Sequence, residues 1–190
     1  METIIFQGFP KIARLSRECI ITEKIDGTNA QIYIADDMQP IILESGRIVP
    51  FLCGSRTRWI FPEFDNYGFA TWAYSNATDL LKLGPGRHFG EWWGQGIQRN
   101  YNLKEKRFSL FNAVHWNEKN LPKGCFTVPI LYKGLFESSA IMNCLDMLNK
   151  IGSFAAPGFM QAEGIVIYHI AANIGFKKTI KNDDIPKGLQ

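Results

Sequence analysis

The chain has 190 residues, 46% of them hydrophobic and 21% charged, with 17 Gly and 9 Pro. That length supports one domain with a substantial core, and the composition excludes a disordered, collagen-like or disulfide-dense protein. Its 21 basic and 18 acidic residues leave a net charge of +3, too even a balance to establish a polyanionic partner by itself.

In chain order, strand signals fill the first third. Cys19 to Lys24 and Ala30 to Ala35 read as strands, the second with alternating faces. Asp26-Gly27-Thr28-Asn29 between them has turn chemistry, because Gly and Asn tolerate positive φ. Ile41 to Glu44 is the next expected strand, ending in a turn at Ser45-Gly46. Glu63 to Leu83 is the long helix candidate, with Pro62 at its start and Gly84-Pro85-Gly86 to stop it. A second helix is capped by Ser138, carries Ile141, Cys144, Leu145 and Leu148 at i, i+3, i+4, i+7, and ends before Gly152.

Further strand-like runs are His88 to Trp93, Phe108 to Trp116, Thr127 to Lys133, Gly164 to Ile170 and Ile174 to Ile180. The last two flank Ala171-Ala172-Asn173, a hairpin loop. Many strands and two helices without strict βαβ alternation predict an α+β fold built on antiparallel sheets. No repeat or linker divides the chain, so residues 1–190 are expected to form a single domain.

Cys19, Cys53, Cys125 and Cys144 lie far apart, as do His88, His115 and His169. A zinc cage needs clustered ligands, so buried, reduced thiols are the expectation. No apolar run approaches the roughly 20 residues of a membrane helix, and Met1-Glu2-Thr3 has no basic leader character. A cytoplasmic protein without a membrane partner is therefore expected.

The sharpest local feature is Glu23-Lys24-Ile25-Asp26-Gly27-Thr28-Asn29. A lysine closing a strand before a turn is presented at a sheet rim, within reach of a ligand. Alone it reads better as a surface lysine beside a hairpin turn, since short motifs recur by chance. Downstream come Ser55-Arg56-Thr57-Arg58, Gly90-Glu91-Trp92-Trp93-Gly94, Phe108-Ser109-Leu110-Phe111-Asn112, Glu163-Gly164-Ile165-Val166-Ile167 and Phe176-Lys177-Lys178. This ordered series resembles the covalent nucleotidyltransferases, the polynucleotide ligases and messenger-RNA capping enzymes, whose K-x-D-G signature is met by Lys24, Asp26 and Gly27. DNA ligases and capping enzymes carry arginine where this chain has Asn29. An E-K-x-x-G-T-N stretch, with the later G-E-x-x-G and F-x-x-F-D/N stretches, is most similar to RNA ligases of the type-2, editing class.

The resemblance implies an antiparallel-sheet adenylation domain in which Lys24 attacks the α-phosphorus of ATP, expels pyrophosphate and becomes lysyl-AMP. The adenylate would pass to a 5′-phosphate, and a 3′-hydroxyl would then displace AMP to seal the strand. A free lysine, with a pKa near ~10.4, is neutral in only about one molecule in a thousand near pH 7.4, which costs roughly 4 kcal/mol of barrier. Cationic neighbours lower that pKa and offset the triphosphate; Lys177, Lys178 and Mg²⁺ or Mn²⁺ are the candidates.

By the same resemblance Glu163 holds the metal or aligns Lys24, and Glu91 accepts from ribose hydroxyls. Trp92 and Trp93 are read as core beneath Glu91. Phe111 would stack on the purine against Val166, with core packing as the alternative. Arg56 would bind ribose or the 5′-phosphate, or stand as a solvated surface residue. Glu23, Ile25 and Asn29, around the lysine, complete the nucleotide-binding set. Asn112 replaces an Asp often found there, which counts against a metal role. Strand alternation puts Lys177 and Thr179 on one face and Lys178 on the other, so Lys177 is the expected catalytic member.

The implied substrate is RNA with nicked or broken ends, with DNA as the alternative; a binding module that has lost strand sealing is the non-enzymatic reading. Lys11, Arg14 and Arg17, and Lys104, Lys106 and Arg107, are basic clusters that could track a phosphate backbone. The given sequence runs about a dozen residues past Lys177, through the polar stretch Asn182 to Gly188. By the resemblance, the OB-fold or helical domain that such ligases append is expected to be missing. A minimal ligase, or one completed by a partner protein, is expected, of a size that would suit a virus-encoded enzyme in the host cytoplasm.

Overall fold

The computed structural model describes residues 4–185; Met1-Glu2-Thr3 and the end of the polar tail lie outside the described residues. The first half contains β1 (Glu18–Lys24), β2 (Thr28–Ile34), β3 (Ile41–Ile42), β4 (Ile48–Val49), β5 (Leu52–Gly54), β6 (Trp59–Ile60), α1 (Phe69–Ser75) and α2 (Ala77–Leu80). The second half adds β7 (Gly86–Gly94), β8 (Lys106–Leu110), β9 (Cys125–Thr127), β10 (Ile130–Leu135), α3 (Ser138–Ile151), β11 (Gly164–His169) and β12 (Ile174–Thr179). The result is a mixed α/β architecture with one four-stranded sheet, β10-β1-β11-β12, and one six-stranded sheet, β6-β5-β2-β7-β8-β9. Both are antiparallel except for the parallel pair β8–β9.

β1 and β2 do not form a hairpin. They belong to different sheets, and residues 25–27 carry the chain from one to the other. Gly27 is required there by crowding, and its φ is not in the left-handed region: a Cβ would stand 2.5 Å from the Trp92 carbonyl oxygen and 2.7 Å from Trp93 Cβ. A second crossing corrects the run from Thr127 to Lys133, which is two strands. Pro129 has no N–H to donate; its carbonyl accepts from Glu23 N–H at 2.9 Å, while Val128 N–H still bonds Leu110 at 3.1 Å.

The expected helix from Glu63 to Leu83 is broken. Pro62 starts only a 3₁₀ turn to Phe64. The Asp65 carboxylate then accepts from the N–H groups of Ala70 and Thr71 at 2.8 and 2.9 Å and so starts α1 itself. Asn76 ends α1, its side-chain amide donating to the Trp72 carbonyl at 2.8 Å in competition with the helix ladder. The run from Phe108 to Trp116 is strand only to Leu110, because Asn112 caps a turn through His115 N–H and Trp116 N–H. The strand expected over Ile41 to Glu44 shrinks to two residues. α3 follows its predicted face, with Cys144, Leu145 and Leu148 buried, but Glu137 and not Ser138 takes the cap position.

Three cores result. Trp92, Phe108, Ile32 and Phe69 fill the space between the six-stranded sheet and α1–α2. Cys19, Ile21, Ile165 and Ile167 pack the four-stranded sheet on α3. Ile25, Trp93, Tyr101 and Phe159 form a small third cluster where the chain crosses between sheets. All four cysteines are buried without a disulfide, and burial pushes the Cys53 and Cys125 thiols up to about 12. No described helix is long and apolar enough to cross a membrane.

Candidate active site

The inner faces of the two sheets enclose a cleft of about 630 Å³. Ile20, Thr22 and Lys24 of β1 and Val166 and Tyr168 of β11 line one wall, and Asn29, Glu91 and Phe111 line the other. Alternation explains the first wall. Odd-numbered β1 residues (Cys19, Ile21, Glu23) point to α3 and even-numbered ones to the cleft.

Lys24 closes β1 and its Nζ lies 2.6 Å from Glu163 Oε2, in a pair whose side chains are 18% and 3% exposed. Glu163 immediately precedes β11, where Gly164 pairs with Lys24 across the sheet. Gly164 cannot carry a side chain, since a Cβ would meet the Lys178 carbonyl oxygen at 2.2 Å. That tight contact between β11 and β12 fixes the height of Glu163 beside the lysine.

Glu91, only 9% exposed, pairs in register with Asn29. Its Oε1 accepts from Gly27 N–H at 3.0 Å and its Oε2 from the Asn29 amide at 3.4 Å. Burial raises the carboxyl to about 7; Lys24 and the Gly27 N–H oppose the rise, and Glu163 and Asp26 add to it. Lys24, Glu163, Glu91 and Asp26 therefore form one electrostatic group at the cleft floor. Trp92 and Trp93 are core residues, donating from their indoles to the Tyr67 carbonyl at 3.1 Å and the Ser109 hydroxyl at 2.9 Å.

Ile25, Asn29, Phe111 and Val166 line the cleft with Lys24 and Glu91. Lys177 pairs with Val166 in register, which puts it on the cleft side of the four-stranded sheet. Lys178 pairs with Ile165 on the opposite side and bonds Asp183 at 2.9 Å. Arg56 lies outside the main cleft in a smaller adjoining hollow that shares Asn29 and Phe111 with it. The Glu23 carboxylate is turned to the loop after α3, where it accepts from Ser153 Oγ at 2.5 Å and from Phe154 and Ala155 N–H at 2.8 and 2.9 Å. Glu23 thus borders the cleft while its carboxylate is engaged by the loop after α3, and strand parity puts Lys178 on the far side of the sheet.

Two supports gave no signal in sequence. Asp26 N–H donates to the Tyr101 hydroxyl at 2.7 Å, and Arg99 Nε pairs with Asp26 at 2.9 Å while its Nη1 bonds the Gln161 carbonyl at 3.1 Å. They brace the lysine turn from a loop more than seventy residues away. The basic clusters have mixed fates. Lys11, Arg14 and Arg17 are exposed on the segment before β1. Lys106 bonds the Tyr67 carbonyl at 2.7 Å, and Arg107 pairs with Glu105 and lies over Phe126.

Among the described residues no group of three or more His, Cys, Asp and Glu forms a metal cage. The donor set at the cleft, Glu163 with Glu91 nearby, suits a hard cation of the Mg²⁺ type, which takes one or two carboxylates and completes its shell with water and phosphate oxygens.

Three RNA ligase structures from Naegleria gruberi share this fold. A variant without ligand aligns with a TM-score of 0.56 at 22% identity, over 86% of this chain and 50% of that one. An arginine variant with ATP and manganese gives 0.58 at 22%, over 88% and 51%. A lysine-to-methionine variant with AMP and manganese gives 0.56 at 21%, over 87% and 50%. The chain therefore spans about half the length of these solved proteins, and no curated protein matches it. The RNA ligase family matches residues 17–182, from just before β1 to just past β12 and across every strand that walls the cleft; the chain belongs to the RNA ligase family.

Proposed function

We propose that the chain is the nucleotidyltransferase unit of an ATP-dependent RNA ligase, closest in kind to the type-2, editing class. The observation that carries this reading is the Lys24–Glu163 pair, at 2.6 Å, beside a cleft with an aromatic wall and a buried acid. The Naegleria proteins with ATP or AMP and manganese support the choice of nucleotide and divalent cation.

In this reading Phe111 and Val166 hold the adenine between ring and aliphatic wall. Glu91 accepts from ribose hydroxyls, a task for an acceptor already fixed by Gly27 and Asn29. Lys24 Nζ, once deprotonated, forms a P–N bond to the α-phosphorus while the P–O bond to the β-phosphate breaks and pyrophosphate leaves. Lys177, on the same sheet face, offsets phosphate charge, and Arg56 meets a phosphate in the adjoining hollow. Glu163 would hold Mg²⁺ or Mn²⁺ shared with the nucleotide. That ion supplies positive charge against the triphosphate. Glu23 and Lys178 act as supports: one ties β1 to the loop after α3, the other ties β12 to Asp183. The adenylate then moves to an RNA 5′-phosphate, and attack by a 3′-hydroxyl releases AMP.

The test is incubation with α-labelled ATP and Mg²⁺. Label is expected on the wild-type protein and absent from Lys24→Ala. Label retained by that variant refutes the assignment. Sealing of a nick flanked by ribose but not by deoxyribose would separate RNA from DNA as substrate.

A further inference from the structure

We propose that the cleft-side face of the six-stranded sheet continues beyond the cleft as a track for a single RNA strand, running from the cleft mouth past Phe89 to a cluster of Arg87, Tyr33 and Trp59. The proposal rests on the ligase reading above, because it supplies that reaction with one of its strands.

Register defines the face. Asn29, Gln31 and Tyr33 of β2 stand opposite Glu91, Phe89 and Arg87 of β7, while the alternate residues Ala30 and Ile32 enter the core. Alternate strand residues repeat about every 6.6 Å, so ring and guanidinium succeed each other along β7. No carboxylate interrupts these positions until Glu91 at the cleft. The smaller hollow, about 200 Å³, has Phe89, Gln31 and Arg56 in its walls and shares Asn29 and Phe111 with the cleft, so the two are continuous.

Phe89 is 51% exposed and Trp59 37%, large areas of ring to leave in water on a regular sheet. The Arg87 guanidinium lies 4.8 Å from the Tyr33 ring centre and 5.4 Å from that of Trp59. Its Nη1 donates to Gln31 at 3.2 Å, which engages one of five donors. The rings and Gln31 thus hold a cation in a fixed attitude at the surface. Exposed rings accept bases of any sequence, and arginines set among them meet the phosphates. A purely apolar protein ligand would leave Arg87 and Arg56 without partners, so charge favours the polyanion.

The test uses the full chain, a fluorescent 12-nucleotide single-stranded RNA read by anisotropy, and label transfer from α-labelled ATP in parallel. Phe89→Ala and Trp59→Ala are each expected to weaken RNA binding about tenfold. Arg87→Ala should reduce the slope of log affinity against log salt by about one. Phe89→Tyr, which keeps the ring, should bind as wild type, and all four should take label from ATP normally. RNA affinity unchanged in both alanine ring variants overturns the track and would leave the face to a protein ligand. A wild-type chain that takes no label, yet binds RNA through these residues, upholds the track and refutes the ligase reading. Should Phe89→Ala lose label through misfolding, Trp59→Ala at the far end decides alone.

Discussion

Replacing Glu91 with Gln isolates the cost of keeping an acid at the cleft floor. In the folded protein burial, more than any neighbour, raises this carboxyl from 4.5 to about 7. A folded value above the unfolded one means that the stabilising contribution is complete below pH 4.5 and is lost as pH rises through about 7. At about 1.36 kcal/mol per pH unit, the ionised acid leaves the native state about 3 kcal/mol less stable above pH 8 than a neutral side chain would. Gln has the same shape, stays neutral and can still accept from Gly27 N–H, as Glu91 does at 3.0 Å. Urea unfolding of both proteins at pH 5, 6, 7 and 8 measures the difference. The variant should match wild type within about 1 kcal/mol at pH 5 and exceed it by about 3 kcal/mol at pH 8. Label transfer from ATP should fall in the same variant, a trade of stability against activity. Parallel stability curves across the pH range would refute the reasoning, because they would mean that Glu91 ionises in the folded protein as easily as in water.

Two further substitutions test how the lysine turn is held. Gly27→Ala puts a Cβ 2.5 Å from the Trp92 carbonyl oxygen, where backbone cannot yield; a loss of about 2–3 kcal/mol in urea unfolding and weakened ATP labelling are expected, and an unchanged unfolding midpoint would contradict it. Glu23→Ala leaves the Ser153 hydroxyl and two backbone N–H groups without their acceptor. It should cost about 3 kcal/mol or more and clearly exceed Glu23→Gln, which keeps one acceptor oxygen; equal stability of the two variants would show that the carboxylate is not the strut.

Sequence alone determined the local features of this protein: the motif order, the strands either side of the lysine turn and the buried stripe of α3. Each depends on alternation with period 2, on period 3.6, or on neighbouring residues. Parity along β12 likewise separated Lys177 from Lys178, although which of them faces the cleft follows from the pairing of Val166 with Lys177. Tertiary structure decided the rest. Lys24 meets Glu163 across 139 residues only because β1 and β11 pair in that register. Glu23 borders the cleft beside the lysine, but only the packing shows that the loop after α3 takes its carboxylate. The single long helix fails at Asp65 and Asn76, where side chains bond backbone groups more favourably than the next helical turn would. Periodicity is a property of a segment, whereas strand partners and the donors around a buried acid are set by the packing of the whole chain.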